Sequence, residues 1–464
     1  MANTHRNGPE EESGGKSGRE IRRRRKAIWV VLSLAYLVVY FHRLSPAVIV
    51  NDLFSLFHIE AASMVGSLAA VYFYVYFLMQ VPAGVLADLF GPRKIVFWGM
   101  SAAAAGSVWF GMSGSTAGLF GARFLIGLGV SVIFVALIRV YSAWFPPREF
   151  GSYLGLTLAV GNLGGLLAAT PLAALVNSIG YRLAFVVVGL CSVLVAASSW
   201  LIVRNHPGEA FSPGQNFSSG GEPGNASWAE IYRNLLQIAR SRHLWLALTA
   251  SFSIYGPFMA LAGVWGVPYL MQVYGLGRNE AASFNVVISA GLASGSAVMG
   301  ILSDRLGSRK KPYLAYALGN VLVWALLVWW NHGKPPSGSL LVLYFLLGFF
   351  ATSCVLSTVM VKEYNPPRVA GLASGIGNVG GFIGAAFMQP FFGYLLDLHW
   401  DGAAAEGVKL YSLHAFQYAF GVCFLVSCLA VAAISLLKES FKEDVYTPCP
   451  SNSGTKRSEA VPFP

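Results

Sequence analysis

The chain has 464 residues, 55% hydrophobic and only 11% charged, and its mean hydropathy of +0.58 belongs to the membrane class rather than to soluble domains. A net charge of +11 would suit a nucleic-acid binder, but the basic residues flank apolar segments instead of forming one patch, which excludes that reading. Five cysteines, four of them in apolar stretches and none in a C-x-x-C, read as buried free thiols and exclude a disulfide frame or a cysteine metal site.

Residues 1–26 form a basic tail ending in Arg22-Arg23-Arg24-Arg25-Lys26. The apolar stretch from Ala27 to about Asn51 is too long for a signal-peptide core and lacks a small-residue cleavage site, so it predicts a retained first span. Further spans are predicted at about 62–87, 95–113, 117–145, 150–177 and 181–203. A Pro/Gly/Ser-rich linker over 205–242 follows, closing with an amphipathic helix from Trp228 to Arg240. Six more spans are predicted at about 243–273, 280–303, 312–331, 339–361, 368–397 and 413–437, then a polar tail over 439–464. The expected fold is therefore all-α, with twelve transmembrane helices in two six-helix bundles, 27–204 and 243–438.

The loops carry their charge unevenly. With the N-terminus inside, Arg93, Lys94, Arg148, Arg305, Arg309 and Lys310, among others, are cytoplasmic, against Arg182, Arg278, Lys334 and Lys409 outside. This predicts a multi-pass protein of the plasma (bacterial inner) membrane with both termini cytoplasmic.

The halves are homologous. Gly84–Lys94 reads G-V-L-A-D-L-F-G-P-R-K and returns 216 positions later, at Gly300–Lys310, as G-I-L-S-D-R-L-G-S-R-K. At the same offset, G-L-T-L-A-V-G-N-L-G-G at Gly155–Gly165 returns as G-L-A-S-G-I-G-N-V-G-G at Gly371–Gly381, with glycines spaced for close helix approach in lipid. Gly375-x-Gly377-x-x-Gly380 also fits a dinucleotide fingerprint, but it lies inside an apolar helix with no strand before it and is discarded.

The repeated hairpin resembles the signature loop of the major facilitator superfamily, with Gly84, Asp88, Gly91, Arg93 and Lys94 in the family positions, and the resemblance runs from Ala27 to Lys438. It implies two bundles, related by an axis along the membrane normal, that rock about a central site in alternating access. Leu89 replaces the usual Arg of the first hairpin, whereas Arg305 keeps it in the second. Tyr76-x-x-x-Gln80-x-Pro82, Arg139-x-x-x-x-Trp144-Phe145-Pro146 and Trp265-x-x-Pro268-Tyr269-Leu270 look like helices 2, 4 and 7 of the anion:cation symporter branch, which carries sugar acids and other organic anions. In that branch an acid–Arg pair on the first helix binds the substrate carboxylate and carries protons. Here the pair is His42-Arg43, so the resemblance implies that Arg43 keeps the anion while the acid is gone. A second family acid is replaced by Val130, and the partner Arg of phosphate exchangers falls on Met259.

A lone guanidinium in a ~30 Å core is costly without a partner, and the acids all sit at helix ends or in loops. The expectation is that a substrate anion neutralises Arg43 through its bidentate fork; the alternative is a structural Arg bonded to helix carbonyls. Tyr36 and Tyr40 share the helical face of Arg43, and Tyr72, Tyr76 and Gln80 share a face of the second helix, either as packing or as ligand contacts. The resemblance associates Tyr76 with the carboxylate and Asn162 with a substrate-contacting amide. Asn378 is the repeat mate of Asn162, and both could equally bond a neighbouring helix. Tyr255 and Trp265 are the second-half candidates, with Trp324 and Ser353 weaker ones. His42 either carries a coupling proton or bonds a neighbour. Asp88, Arg93, Arg139, Asp304, Arg305 and Arg309 are expected to be gating or structural, with Arg139 paired to Asp88.

No Walker loop, H-E-x-x-H or nucleophilic triad is present, so no enzyme is expected, and no metal or cofactor. The expected function is secondary active transport of a small organic anion, with a proton as the optional coupling ion. The expected partners are the substrate and the bilayer, with no nucleic acid, and the expected working unit is a monomer. Alternatives are a phosphate-type anion exchanger, an exporter of hydrophobic compounds and a non-transporting sensor.

Overall fold

The computed structural model describes residues 10–57, 61–206, 228–365, 369–405 and 408–441. It is almost entirely helical; the one sheet among the described residues is a two-stranded ribbon, Ala404–Ala405 with Val408–Lys409. Among the described residues ten helices are long and apolar enough to cross a membrane. One of them, Glu149–Ile202, would measure about 81 Å and is two crossings, because Gly180 (φ 78°) reverses the chain inside it. A further crossing is made by Ala62–Leu78 with Gln80–Phe90. Twelve spans result, in agreement with the sequence. The amphipathic helix is present at Trp228–Ala239. The rest of the expected linker (207–227) and most of the expected C-terminal tail (442–464) lie outside the described residues.

Two expectations need correction. The first helix begins at Glu10 rather than near Ala27, so the basic run lies within it and not ahead of it. The first span also does not end at Asn51: after a break at Ser45 it continues as Pro46–Phe57.

Spans 2 and 5 are interrupted at Met79 and at Ala168-Ala169, and spans 1, 4, 7 and 10 are interrupted near mid-length. These mid-span breaks fall at Ser45, Val132, the π-turn Leu261–Trp265 and Thr352-Ser353. Proline explains the first, since Pro46 has no N–H to give the carbonyl four residues back. Pro257 precedes the π-turn and Pro268 follows it. At the last, Thr352 and Ser353 hydroxyls bond the carbonyls of Phe349 and Phe350 at 2.8 Å each, competing with the helix ladder.

The repeat is visible in packing. A Cβ on Gly164 of span 5 would lie 2.0 Å from the Leu37 carbonyl oxygen of span 1. On its mate Gly380, in span 11, it would lie 2.7 Å from the Leu248 carbonyl oxygen of span 7. The same small-residue approach therefore fastens each half. The halves meet along spans 2 and 11, 5 and 8, and 1 and 7. We call the side where the chain enters the first span the terminal face, which also carries the Gly91 and Gly307 hairpins, and the other side the far face.

Candidate substrate site

Arg43 stands one turn before the Pro46 break, about 24 Å along the helix from Ala27 and about 21 Å from Phe57, hence near the middle of span 1. It is 6% exposed. Aromatic rings surround its guanidinium, with Cζ 4.6 Å from the Tyr40 ring centre, 5.6 Å from Tyr76 and 5.5 Å from Phe382. Nη1 donates to the Tyr255 hydroxyl at 3.4 Å, which ties the first half to the second. Nε is buried with no hydrogen-bond partner, and among the described residues no carboxylate lies within 4 Å of the group. Cation–π contacts hold the cation in place without neutralising it. The Nε edge of the fork is left to bond something else.

Tyr36 packs edge-on against Tyr40 at 5.3 Å, and Tyr76 lies against Phe382 at 4.5 Å. Spans 1, 2, 7 and 11 thus all reach Arg43. Phe382 was not foreseen. It has no motif, and only its place next to Gly381 of the repeated glycine stretch marks it. Tyr72 stacks on Tyr76 at 5.8 Å, but its hydroxyl donates to the Val39 carbonyl at 3.1 Å, so it braces spans 1 and 2. Gln80 is half-buried and opens the second segment of span 2, where Pro82 removes the donor for Leu78. Asn162 is half-buried and Asn378 exposed, and neither amide has a hydrogen-bond partner among the described residues. Trp265 is not among the side chains around Arg43. It is fully buried, donates to the Gln389 carbonyl at 3.1 Å and stacks on Phe392 at 6.1 Å, joining spans 7 and 11. Trp324 packs on Phe420 in the second half, and Ser353 bonds its own helix.

The Major Facilitator Superfamily description matches residues 26–331 and again 259–448. The chain belongs to that superfamily. This major facilitator is 26% identical over 395 residues to the "Probable sulfoacetate transporter SauU" of Cupriavidus necator, covering 80% of the chain and 87% of the relative. It is 23% identical to the "Probable galactarate/D-glucarate transporter GarP" of Escherichia coli K12, covering 86% and 94%. A bacterial homologue of the lysosomal transporter Spinster, solved inward-facing and unoccupied, shares the fold with a TM-score of 0.65 at 19% identity over 89% of this chain and 95% of that one. The protein is a membrane transporter and not an enzyme.

In this transporter the residue beside Arg43 points elsewhere. The His42 ring faces span 3, with Nε2 3.3 Å from the Ser107 hydroxyl and Nδ1 buried without a partner. Pro46 denies a helical donor to the His42 carbonyl, and Arg123 of span 4 supplies one through Nη1 at 3.0 Å. Arg123 is 1% exposed, lies over Tyr72 at 5.4 Å, and keeps Nε and Nη2 unbonded. Counting back four residues from Pro46 would have found this acceptor in the sequence.

The hairpin residues lie well away from the site. Arg309 binds Asp304 at 2.8 Å and Glu363 at 3.2 Å, all in the second half, and Arg305 is exposed at the end of its helix. Arg93 donates to the Trp200 carbonyl through Nε (3.1 Å) and Nη2 (2.6 Å), within the first half. The expected Arg139–Asp88 pair falls on a side chain outside the described residues.

Proposed function

We propose that the chain carries a small organic anion, a carboxylate or sulfonate such as a sugar acid, by alternating access about Arg43. The observation that carries this reading is a guanidinium held at mid-span by Tyr40, Tyr76, Phe382 and Tyr255, with its Nε edge unbonded. A buried cation without a carboxylate is stabilised by an anion that arrives, and the planar fork selects oxyanions over point charges. The anions of the relatives, sulfoacetate and galactarate or D-glucarate, are the first compounds to try. Asn162 and Asn378 are assigned to the polar part of the cargo, since both amides are open to bonding.

The terminal face, with Arg93, Lys94, Arg309 and Lys310, is assigned to the cytoplasm. The coupling proton is assigned to His42, the imidazole next to Arg43 in the chain.

Uptake of these anions into proteoliposomes tests the reading. Arg43→Lys keeps the charge but loses the fork, and uptake is expected to fall at least about a hundredfold, the loss of ~3 kcal/mol of paired hydrogen bonds. The wild type should be stabilised thermally by the transported anion and the variant should not. Undiminished uptake by Arg43→Lys would make the residue structural. If His42→Gln keeps pH-gradient-driven uptake, the proton does not travel through this ring.

A further inference from the structure

The π-turn Leu261–Trp265 divides span 7 into Arg242–Ala260 below and Gly266–Tyr274 above, toward the far face. Pro257 and Pro268 each remove a donor from the helix ladder on either side, and the turn advances by a five-residue bond from the Gly266 N–H to the Leu261 carbonyl. One residue of span 11 grips this turn at both ends. Gln389 is fully buried and donates through Nε2 to the Met259 carbonyl, two residues before the turn, at 3.2 Å. Its own carbonyl accepts the indole N–H of Trp265, the last residue of the turn, at 3.1 Å. Gly263, inside the turn, makes room for the grip, since a Cβ there would lie 2.8 Å from Gln389 Nε2. Gln389 Oε1 is buried with no hydrogen-bond partner, so the amide is bonded at one end only.

The turn is also where span 7 meets the first half. Both it and the segment above it pack on Pro46–Phe57 of span 1, with Asn51 Nδ2 3.7 Å from the Met271 sulfur. Below it, Tyr255 accepts the bond from Arg43. The amide that fixes the turn therefore sits between Arg43 and the far-face closure.

We propose that the Gln389 side chain is a positioning residue of the transport cycle. It holds the π-turn that lays Gly266–Tyr274 against span 1, and release of its bond to Met259 is the step that lets this segment swing away and open the far face. The proposal rests on alternating access, but not on Arg43 or on the anion carried.

The test uses the full chain in proteoliposomes with Ser289→Cys as reporter, a position buried in the seam opposite Gly165. A membrane-impermeant maleimide is added at the far face, and its attachment to that residue is read by peptide mass spectrometry. Gln389→Met keeps the length of the side chain and removes its N–H, and labelling is expected to accelerate about fivefold, the weight of one net hydrogen bond. Gly263→Ala attacks the same bond from the other side and should accelerate labelling comparably. In Gln389→Ala, where the amide is gone, adding Gly263→Ala should change nothing further. A side chain that only supports the fold would lower the melting temperature and leave labelling unchanged. Gly66→Ala, which crowds span 2 against the Gln389 backbone, is the control for opening of the far face itself. Labelling at or below the wild-type rate in Gln389→Met, or additive effects of the Gly263 and Gln389 substitutions, would each overturn the proposal. If Gly66→Ala accelerates labelling and Gln389→Met does not, the grip alone fails; if neither does, alternating access at this seam fails with it.

Discussion

The seam between the two halves is bonded differently at its two ends. At the far face polar contacts cross it. Asp52 of span 1 pairs with Arg278 of span 8 at 3.0 Å, and Asn177 donates to Asn279 at 3.1 Å. Asp397, at the end of span 11, accepts the Ala62 and Ser63 backbone N–H groups at 2.9 and 3.0 Å and the Ser63 hydroxyl at 3.1 Å. A carboxylate from one half thus caps the first turn of a helix in the other, where the helix dipole also favours negative charge. At the terminal face the Gly91 and Gly307 hairpins hold their own halves together, as in the Arg309–Asp304, Arg309–Glu363 and Ser308–Glu439 contacts. Opening at the far face must therefore break directional bonds between bodies, whereas the hairpin networks can move whole.

Crowding that seam should have the largest effect. A Cβ on Gly66 would lie 2.3 Å from the Gln389 carbonyl oxygen of span 11, so Gly66→Ala should disfavour this conformation by about 3 kcal/mol. Thiol labelling of Ser289→Cys, buried here opposite Gly165, should accelerate when the reagent is added at the far face. Unchanged labelling would show that the seam yields without separating. Next comes Asp397→Ala, which strips the cap and should cost about 2 kcal/mol, read by the same label. Third, Asp52→Arg with Arg278→Asp should recover about 1 kcal/mol lost in each single variant, because the pair is mostly shielded from water.

The smallest effect belongs to the other end. Partial burial pushes the Glu439 carboxyl up, but the Ser308 hydroxyl and the backbone N–H groups of Arg309, Phe441 and Lys310 outweigh it and hold the group below its ordinary 4.5. A carboxyl with a depressed native pKa stabilises the fold above its unfolded value and loses that contribution as pH falls through the native one. Glu439→Gln should therefore lower the melting temperature by about 1–2 °C at pH 7, and the difference should shrink once the pH falls under 4.5 and vanish when the carboxyl is protonated in the folded state. Labelling at Ser289→Cys should not respond, since this network stays within one half.

The architecture was legible because it repeats. An offset of 216 residues ties hairpin to hairpin and glycine to glycine, and each apolar run is long enough to cross. Arg43 stood out because an isolated charge in such a run is rare. What could not be read was contact between elements distant in sequence. Nothing local says that Phe382 reaches Arg43, that Asp397 caps Ala62 and Ser63, or that Trp265 turns to Gln389. Half-legible was Pro46: its missing N–H foretells a break and an orphaned carbonyl, but not that Arg123 fills it. Periodicity also overlooked the π-turn at Leu261–Trp265, since a single wide turn leaves the hydrophobic pattern almost untouched.

On the proposed reading, in which the cargo supplies Arg43 with its counterion, voltage becomes part of the transport cycle. A carrier whose counterion is its cargo crosses electrically neutral when it holds a monoanion and with a positive charge when it returns empty. A full elementary charge moved through the membrane field corresponds to ~2.3 kcal/mol per 100 mV. A negative interior would therefore draw the empty form inward and slow its return to the outside; a monoanion leaves the loaded step almost untouched, whereas a dianion such as galactarate gives the loaded form one negative charge and opposes its entry.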